Sequence, residues 1–159
     1  MLHAALQRAQ QEATLANSLL SATLSLRHDT FRHWLAVPFP DFTQAQSKLC
    51  WNLEIAKRGF DLTRVSGWAY IDDAEARHGV PCLLATGAST AWVLPGVMVE
   101  RPDVLSVFPA TGQAAINRLQ SGFVFETSSS QLPDNISTWR ILLGATNRPP
   151  AMSPEFQLA

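Results

Sequence analysis

The feature that most constrains the fold of this chain is a series of short strand-like runs between residues 65 and 108. The runs are rich in β-branched and aromatic residues and are separated by turn-forming residues; they cover positions 65–71, 80–85, 91–94, 97–100 and 104–108. Such side chains favour the pleated geometry of a sheet, and the short spacings between runs favour tight connections. The region therefore predicts an antiparallel sheet of short strands.

The first 26 residues predict a long amphipathic helix, because they lack Pro and Gly and are dense in Ala, Leu and Gln. Apolar residues recur there in a 4-3-4-3-4 spacing, which places them along one helical face. Such a face can pack on its own domain or pair with a partner chain. In the second case the protein-binding residues are Leu6, Ala9, Ala13, Ala16 and Leu20.

Residues 27–40 contain two prolines and predict a connector. Residues 41–59 carry two competing patterns. Asp41 is a suitable helix cap and Gly59 a suitable helix stop, which favours a second helix over 41–59. Strict alternation of apolar residues is typical of a strand instead; it involves Leu49, Trp51, Leu53 and Ile55. Length and caps favour the helix.

Beyond residue 108 the pattern predicts one helix, over 111–121, followed by strands at 123–127 and 136–145. Residues 146–159 contain three prolines and predict an irregular tail.

Together these elements predict a single α+β domain over residues 1–145. The N-terminal helices would pack on an antiparallel sheet of about five or six short strands, formed by residues 65–145, with one further helix between strands. This order of elements is similar in outline to small secretion chaperones of bacterial type III systems, dimers that wrap an extended segment of a client protein.

Composition narrows the function. A formal net charge of -1 leaves no basic excess for binding nucleic acid. No apolar run reaches membrane-spanning length, and polar residues from Gln7 to Glu12 interrupt any signal-peptide core. Two cysteines are too few for a disulfide framework. The Arg-rich basic set indicates a bacterial source. We therefore expect a cytoplasmic protein without cofactor or metal, and without a membrane or nucleic-acid partner.

One hypothesis is catalytic and rests on Cys50. Gln44 lies six residues before it, Trp51 directly follows it, and His78 opens an apolar run. This arrangement resembles papain-type cysteine peptidases, in which an upstream Gln helps form the oxyanion hole. The resemblance implies a cysteine-dependent hydrolase or acyltransferase with Cys50 as nucleophile, His78 as base and Gln44 in support.

The favoured hypothesis is a non-enzymatic protein-binding module of the chaperone, adaptor or inhibitor (immunity) type, forming a homo-oligomer. The apolar seam of the first helix is longer than a domain of this size needs for its own core. Only 16% of the residues are charged, and buried interfaces select lightly charged surfaces. Every group of ionisable residues also has a local structural explanation, so none points to catalysis.

Overall fold

The computed structural model describes residues 33–42, 48–146 and 148–159 of the chain. Antiparallel β-structure dominates this part: strands account for 48% of it and helix for 14%. The predicted α+β fold with helices packed on one sheet is therefore wrong, and so is the outline shared with secretion chaperones. The first predicted helix, over 1–26, lies outside the described residues.

Nine strands, two α-helices and one short 3-10 turn, Ser129–Gln131, make up the described elements. The helices are α1 (Pro102–Val107) and α2 (Gly112–Leu119), which follow each other between the sixth and seventh strands. The strands are β1 (Leu35–Val37), β2 (Leu49–Arg58), β3 (Leu62–Ile71), β4 (Cys82–Thr86), β5 (Ala91–Pro95), β6 (Val97–Val99), β7 (Gly122–Ser128), β8 (Thr138–Ala145) and β9 (Arg148–Met152).

The strands form two antiparallel sheets. Sheet A has the order β1-β5-β4-β8-β9, and sheet B has the order β2-β3-β7-β6. The chain changes sheets between β5 and β6, where the Gly96 amide donates to the carbonyl of Pro81 at 2.9 Å. A Cβ at Gly96 would lie 2.7 Å from the Phe125 ring, so glycine suits this tight corner between the sheets.

The main core lies between the two sheets. Alternate side chains of β3 and β7 in sheet B meet alternate side chains of β4, β5 and β8 in sheet A, as in a β-sandwich. The buried residues of this cluster are Val65, Ala69, Leu83, Ala85, Leu94, Phe123, Phe125, Trp139 and Ile141. A second apolar cluster occupies the other face of sheet A, with Cys82, Leu84, Ala91, Val93 and Leu142 buried in it.

The predicted second helix over 41–59 is wrong where the structure describes it, because Leu49–Arg58 is strand β2. β2 pairs along its length with β3, from Leu49 opposite Ile71 to Arg58 opposite Thr63. Pairing satisfies the backbone groups of β2 that face β3 and places its alternating apolar side chains against the core, which outweighs its end signals for a helix.

Two further predictions need correction. The predicted strand at 104–108 belongs to helix α1, which starts with Pro102 at its first turn, a position that proline favours. The predicted irregular tail contains β9, which pairs with β8 and tolerates prolines because it is an edge strand. The helix predicted at 111–121 and the strands predicted at 123–127 and 136–145 are confirmed.

Candidate protein-binding surface

Exposed apolar side chains concentrate on one side of the sandwich. In the described ranges the large apolar residues at the surface are Phe39, Phe42, Ile55, Phe60, Leu62, Val99, Val107, Phe108 and Ile116. Seven of these nine belong to the strands of sheet B, to the β2–β3 turn or to the segment that contains α1 and α2. We call this side of the molecule, with those seven residues, the sheet B surface.

The pleat of β3 explains which side chains reach this surface. Val65 and Ala69 point into the core, so Ser66, Trp68 and Tyr70 point outward. The strand register then places Ile55 of β2 and Val124 of β7 on either side of Ser66. This row across the outer face is therefore apolar and hydroxyl, and the neighbouring row carries the ion pair between Arg64 and Glu126.

An aromatic cluster attaches the helical segment to the outer face. The rings of Trp68 and Tyr70 stack with centroids 5.8 Å apart, and the Phe108 ring lies 5.8 Å from Trp68. Arg118 of α2 places its guanidinium 5.1 Å from the centre of the Tyr70 ring and donates to the carbonyls of Phe108 and Pro109. These contacts place α1 and α2 over one end of sheet B, so the rest of its outer face stays uncovered by them.

Arg101, which follows β6, reaches across the outer face of sheet B to Glu54 of β2 at the opposite edge. Its guanidinium donates to both carboxylate oxygens of Glu54 and to both of Asp103. Its aliphatic stem lies over Gly122, where a Cβ would meet its Cγ at 2.7 Å. Hydrogen bonds from Arg101 lower the pKa of Asp103 to about 2 and the same contacts raise the pKa of Arg101. The network fixes β6 against the far strand β2.

The tip of the β2–β3 hairpin presents the most exposed apolar side chain on this surface, Phe60, which is 98% exposed. The turn around it is ordered by hydrogen bonds: the Gly59 amide donates to Leu62, and the Ser129 amide donates to the Asp61 carbonyl, both at 2.9 Å. The Ser129 hydroxyl also donates to the Gly59 carbonyl at 2.7 Å. A fixed turn thus holds an aromatic ring in solvent.

Cys50 and His78, the two residues of the proposed catalytic site that the structure describes, have different neighbours. Cys50 of β2 lies directly opposite Tyr70, and burial, followed by interactions with Cys50, raises the pKa of Tyr70 to about 12. Both ring nitrogens of His78 instead lie within hydrogen-bond distance of backbone carbonyls, those of Gly79 and Asn117. A thiolate–imidazole pair requires a hydrogen bond between Cys50 and His78, and these two described residues do not form one.

The remaining predicted site residues lie outside the described ranges. These are Gln44 of the catalytic hypothesis and the seam residues Leu6, Ala9, Ala13, Ala16 and Leu20 of the first predicted helix. Within the ranges that are described, no group of His, Cys, Asp or Glu side chains could hold a metal ion. The described helices include none with the length and apolar character needed to cross a membrane.

Sequence reasoning missed the sheet B surface because it placed residues 41–59 in a helix. The signal was present, since the alternation in β2 is followed by the turn sequence Gly59-Phe60-Asp61 and then by a second strand pattern. Read as a hairpin, this segment would have placed Phe60 at an exposed tip.

Comparisons with known proteins give no match: no protein-family model, no curated protein and no solved structure resembles this chain closely enough to be reported.

Proposed function

We propose that this chain is a non-enzymatic protein-binding module that contacts its partner through the sheet B surface. The observation that carries the proposal is Phe60, an almost fully exposed aromatic side chain on a turn that hydrogen bonds hold in place. Aromatic side chains are enriched among the residues that dominate binding energy, and an ordered turn lowers the entropy cost of placing the ring in a partner.

The distribution of apolar residues supports this reading. Isolated exposed apolar residues are ordinary on protein surfaces, whereas their collection on one side marks interaction sites. Leu62 follows Phe60 at the hairpin end, and Ile55 and Val99 lie in the flanking strands, each at least 40% exposed. The partner that fits this surface is a protein with an apolar pocket for the Phe60 ring and an apolar rim.

Cytoplasmic location is part of the same proposal. Cys50 and Cys82 are both free thiols in the described structure, which fits a reducing compartment.

The test compares proteins retained from the native host by the wild-type chain and by two matched variants. Phe60→Asp places a charge where the ring would enter the partner. This variant should reduce retention of the specific partner at least tenfold. Phe39→Asp is the control, because Phe39 is also exposed (46%) but lies outside the sheet B surface.

Quantitative mass spectrometry measures the retained proteins, and thermal unfolding confirms that both variants fold. Support requires a protein that is lost with Phe60→Asp and kept with Phe39→Asp. Equal retention by all three chains would contradict a role of the sheet B surface.

A further inference from the structure

The outer edge of strand β2 has two halves that differ in whether their backbone N–H and C=O groups have hydrogen-bond partners. Near its end, the Arg58 amide donates to the carbonyl of Ala159, and the Ala159 amide donates to the carbonyl of Ala56, both at 3.0 Å. Ala159 thus covers that half. Over residues 49–53, by contrast, no described residue other than those of β3 pairs with the backbone.

The direction of the backbone groups in this half follows from one hydrogen bond. The Asp72 amide donates to the carbonyl of Lys48 at 3.0 Å, so Lys48 faces the β3 side. Alternate residues of an antiparallel strand face the same neighbour, so Cys50 and Asn52 also face β3. The N–H and C=O groups of Leu49, Trp51 and Leu53 therefore point away from sheet B.

Such an edge is a template for another strand, and proteins usually protect it with charges or a bulge. The second half of β2 has both kinds of protection: a register shift between Leu53 and Ile55, and the basic pair Lys57 and Arg58. The first half, Leu49 to Leu53, carries no charge and has regular register with β3. Within the part of the chain that the structure describes, nothing on this edge opposes pairing with another strand.

We propose that a second copy of this chain pairs with this half of β2, antiparallel and centred on Trp51, so that sheet B continues across a two-fold axis. The strand is self-complementary in this register. Trp51 faces Trp51 of the second copy, and Leu49 faces its Leu53, so apolar side chains meet on the core side. Each of these pairs exchanges two backbone hydrogen bonds, about six in total.

Charge complementarity favours a second copy over an unrelated strand. In the same register Lys48 lies opposite Glu54 of the second copy, and symmetry repeats this pair at the other end. Both side chains keep accessible surface, with 77% of Lys48 and 46% of Glu54 exposed. Within one chain Lys48 lies 3.6 Å from Asp72 and Glu54 accepts hydrogen bonds from Arg101, so the contact between copies would extend these ion pairs into a network. Opposite charges at facing positions stabilise a strand pair, and like charges destabilise it. Ala159, bound at Ala56 and Arg58, limits the pairing to about this length.

This inference goes beyond the proposed function and does not depend on it, because the edge of β2 and the Phe60 tip are separate surfaces. The first measurement is the mass of the purified chain by sedimentation equilibrium over a range of concentrations. We expect a two-chain species. Lys48→Glu would place two like-charged pairs in the contact and should raise the dissociation constant about tenfold, while the far-ultraviolet circular dichroism of the variant should match that of the wild type. Phe60→Asp should leave the mass unchanged.

A thiol test checks the register itself. Cys50 faces Asn52 of the second copy as a non-hydrogen-bonded pair, with Cα atoms about 4.5 Å apart, which a disulfide can bridge. The variant Asn52→Cys should therefore form a covalent dimer under mild oxidation. Lys57→Cys is the matched control, since it is exposed on the same strand but lies beyond the paired half; it should stay uncrosslinked.

Amide hydrogen exchange of the wild-type chain provides a readout that needs no variant. Protection of the Trp51 and Leu53 amides should rise with chain concentration. A monomer at every concentration would overturn the proposal. So would a dimer in which Asn52→Cys crosslinks no better than Lys57→Cys, or one in which these two amides stay unprotected.

Discussion

At the scale of single residues, Gly67 is the position where sheet B leaves no room for a side chain. It lies opposite Leu53, where β2 begins its register shift, and an added Cβ would overlap the carbonyl oxygen of Asn52. Backbone atoms of a paired strand cannot move aside cheaply. We therefore expect Gly67→Ala to lower the free energy of unfolding by roughly 3 kcal/mol, measured by urea denaturation.

Gly112 provides the matched control for this prediction. It has a positive φ of 63°, but nothing lies within 4 Å of an added Cβ. Gly112→Ala thus tests backbone strain without overlap and should cost about 1 kcal/mol. Gly67 has no positive φ, so a loss for Gly67→Ala no larger than that for Gly112→Ala would contradict the overlap with Asn52.

His78 makes stability depend on pH. Burial lowers its pKa below the ordinary value of 6.5, and this outweighs the carbonyls of Gly79 and Asn117, which favour the charged form. The unfolded chain then binds the proton more tightly than the folded protein. The contribution of His78 to stability is complete above pH 6.5 and is lost as the pH falls through the lowered pKa.

The measurement is the free energy of unfolding between pH 5 and pH 7.5, roughly the range in which a histidine titrates, for the wild type and for His78→Gln. The decline toward low pH should be smaller in the variant. The same decline in both proteins would assign the pH dependence to other groups.

At the scale of elements, the last residues of the chain close one side of the sandwich. The Phe156 amide donates to the Trp139 carbonyl of sheet A at 2.9 Å, and the Phe156 ring lies 6.4 Å from that of Trp51 in sheet B. Phe156→Ala should therefore lower the free energy of unfolding by roughly 2 kcal/mol, measured by chemical denaturation.

Its neighbour Gln157 is exposed and makes only a long contact of 3.5 Å with the Ser137 carbonyl. Gln157→Ala should change stability by less than about 0.5 kcal/mol. If Phe156→Ala were equally mild, the closing segment would contribute little to the fold.

Elements also show where local patterns mislead. The strand patterns at 65–71 and 123–127 were predictable, because most of their residues alternate between the buried core and the outer face in the folded protein. The pattern at 104–108 lies between Pro102 and Pro109. Most of it belongs to the six-residue helix α1, in which Val104 is the one buried residue. A run this short carries too little periodicity to distinguish strand from helix.

At the scale of the whole molecule, one core joins both sheets, so they should unfold together. Val65 of sheet B and Leu83 of sheet A belong to the same buried cluster. Val65→Ala and Leu83→Ala should each lower stability, by about 2–4 kcal/mol for Leu83. Each should shift the midpoint of tryptophan fluorescence and of far-ultraviolet circular dichroism by the same amount. Separate midpoints for the two signals would indicate sheets that unfold independently.

The candidate surface could be predicted only in part. The sequence contains Phe60, Leu62 and Ile55, but an apolar residue in a sequence does not reveal whether it is buried. Their exposure depends on the pairing of β2 with β3 and on how far α1 and α2 extend over sheet B. Likewise, nothing in the spacing of Cys50 and His78 indicated that backbone carbonyls would take both nitrogens of the imidazole.

The sequence by itself determined the elements whose signals are local: the strands between residues 62 and 99, helix α2 with its adjoining turns, and strands β7 and β8. Tertiary structure decided the rest. Residues 49–58 carry both helical and strand signals, and pairing with β3 selects the strand because it satisfies the backbone groups on one side of a ten-residue segment. Among the described residues, the same non-local pairing leaves one half of the β2 edge without a partner strand and places Phe60 in solvent, because both depend on contacts between residues far apart in the chain.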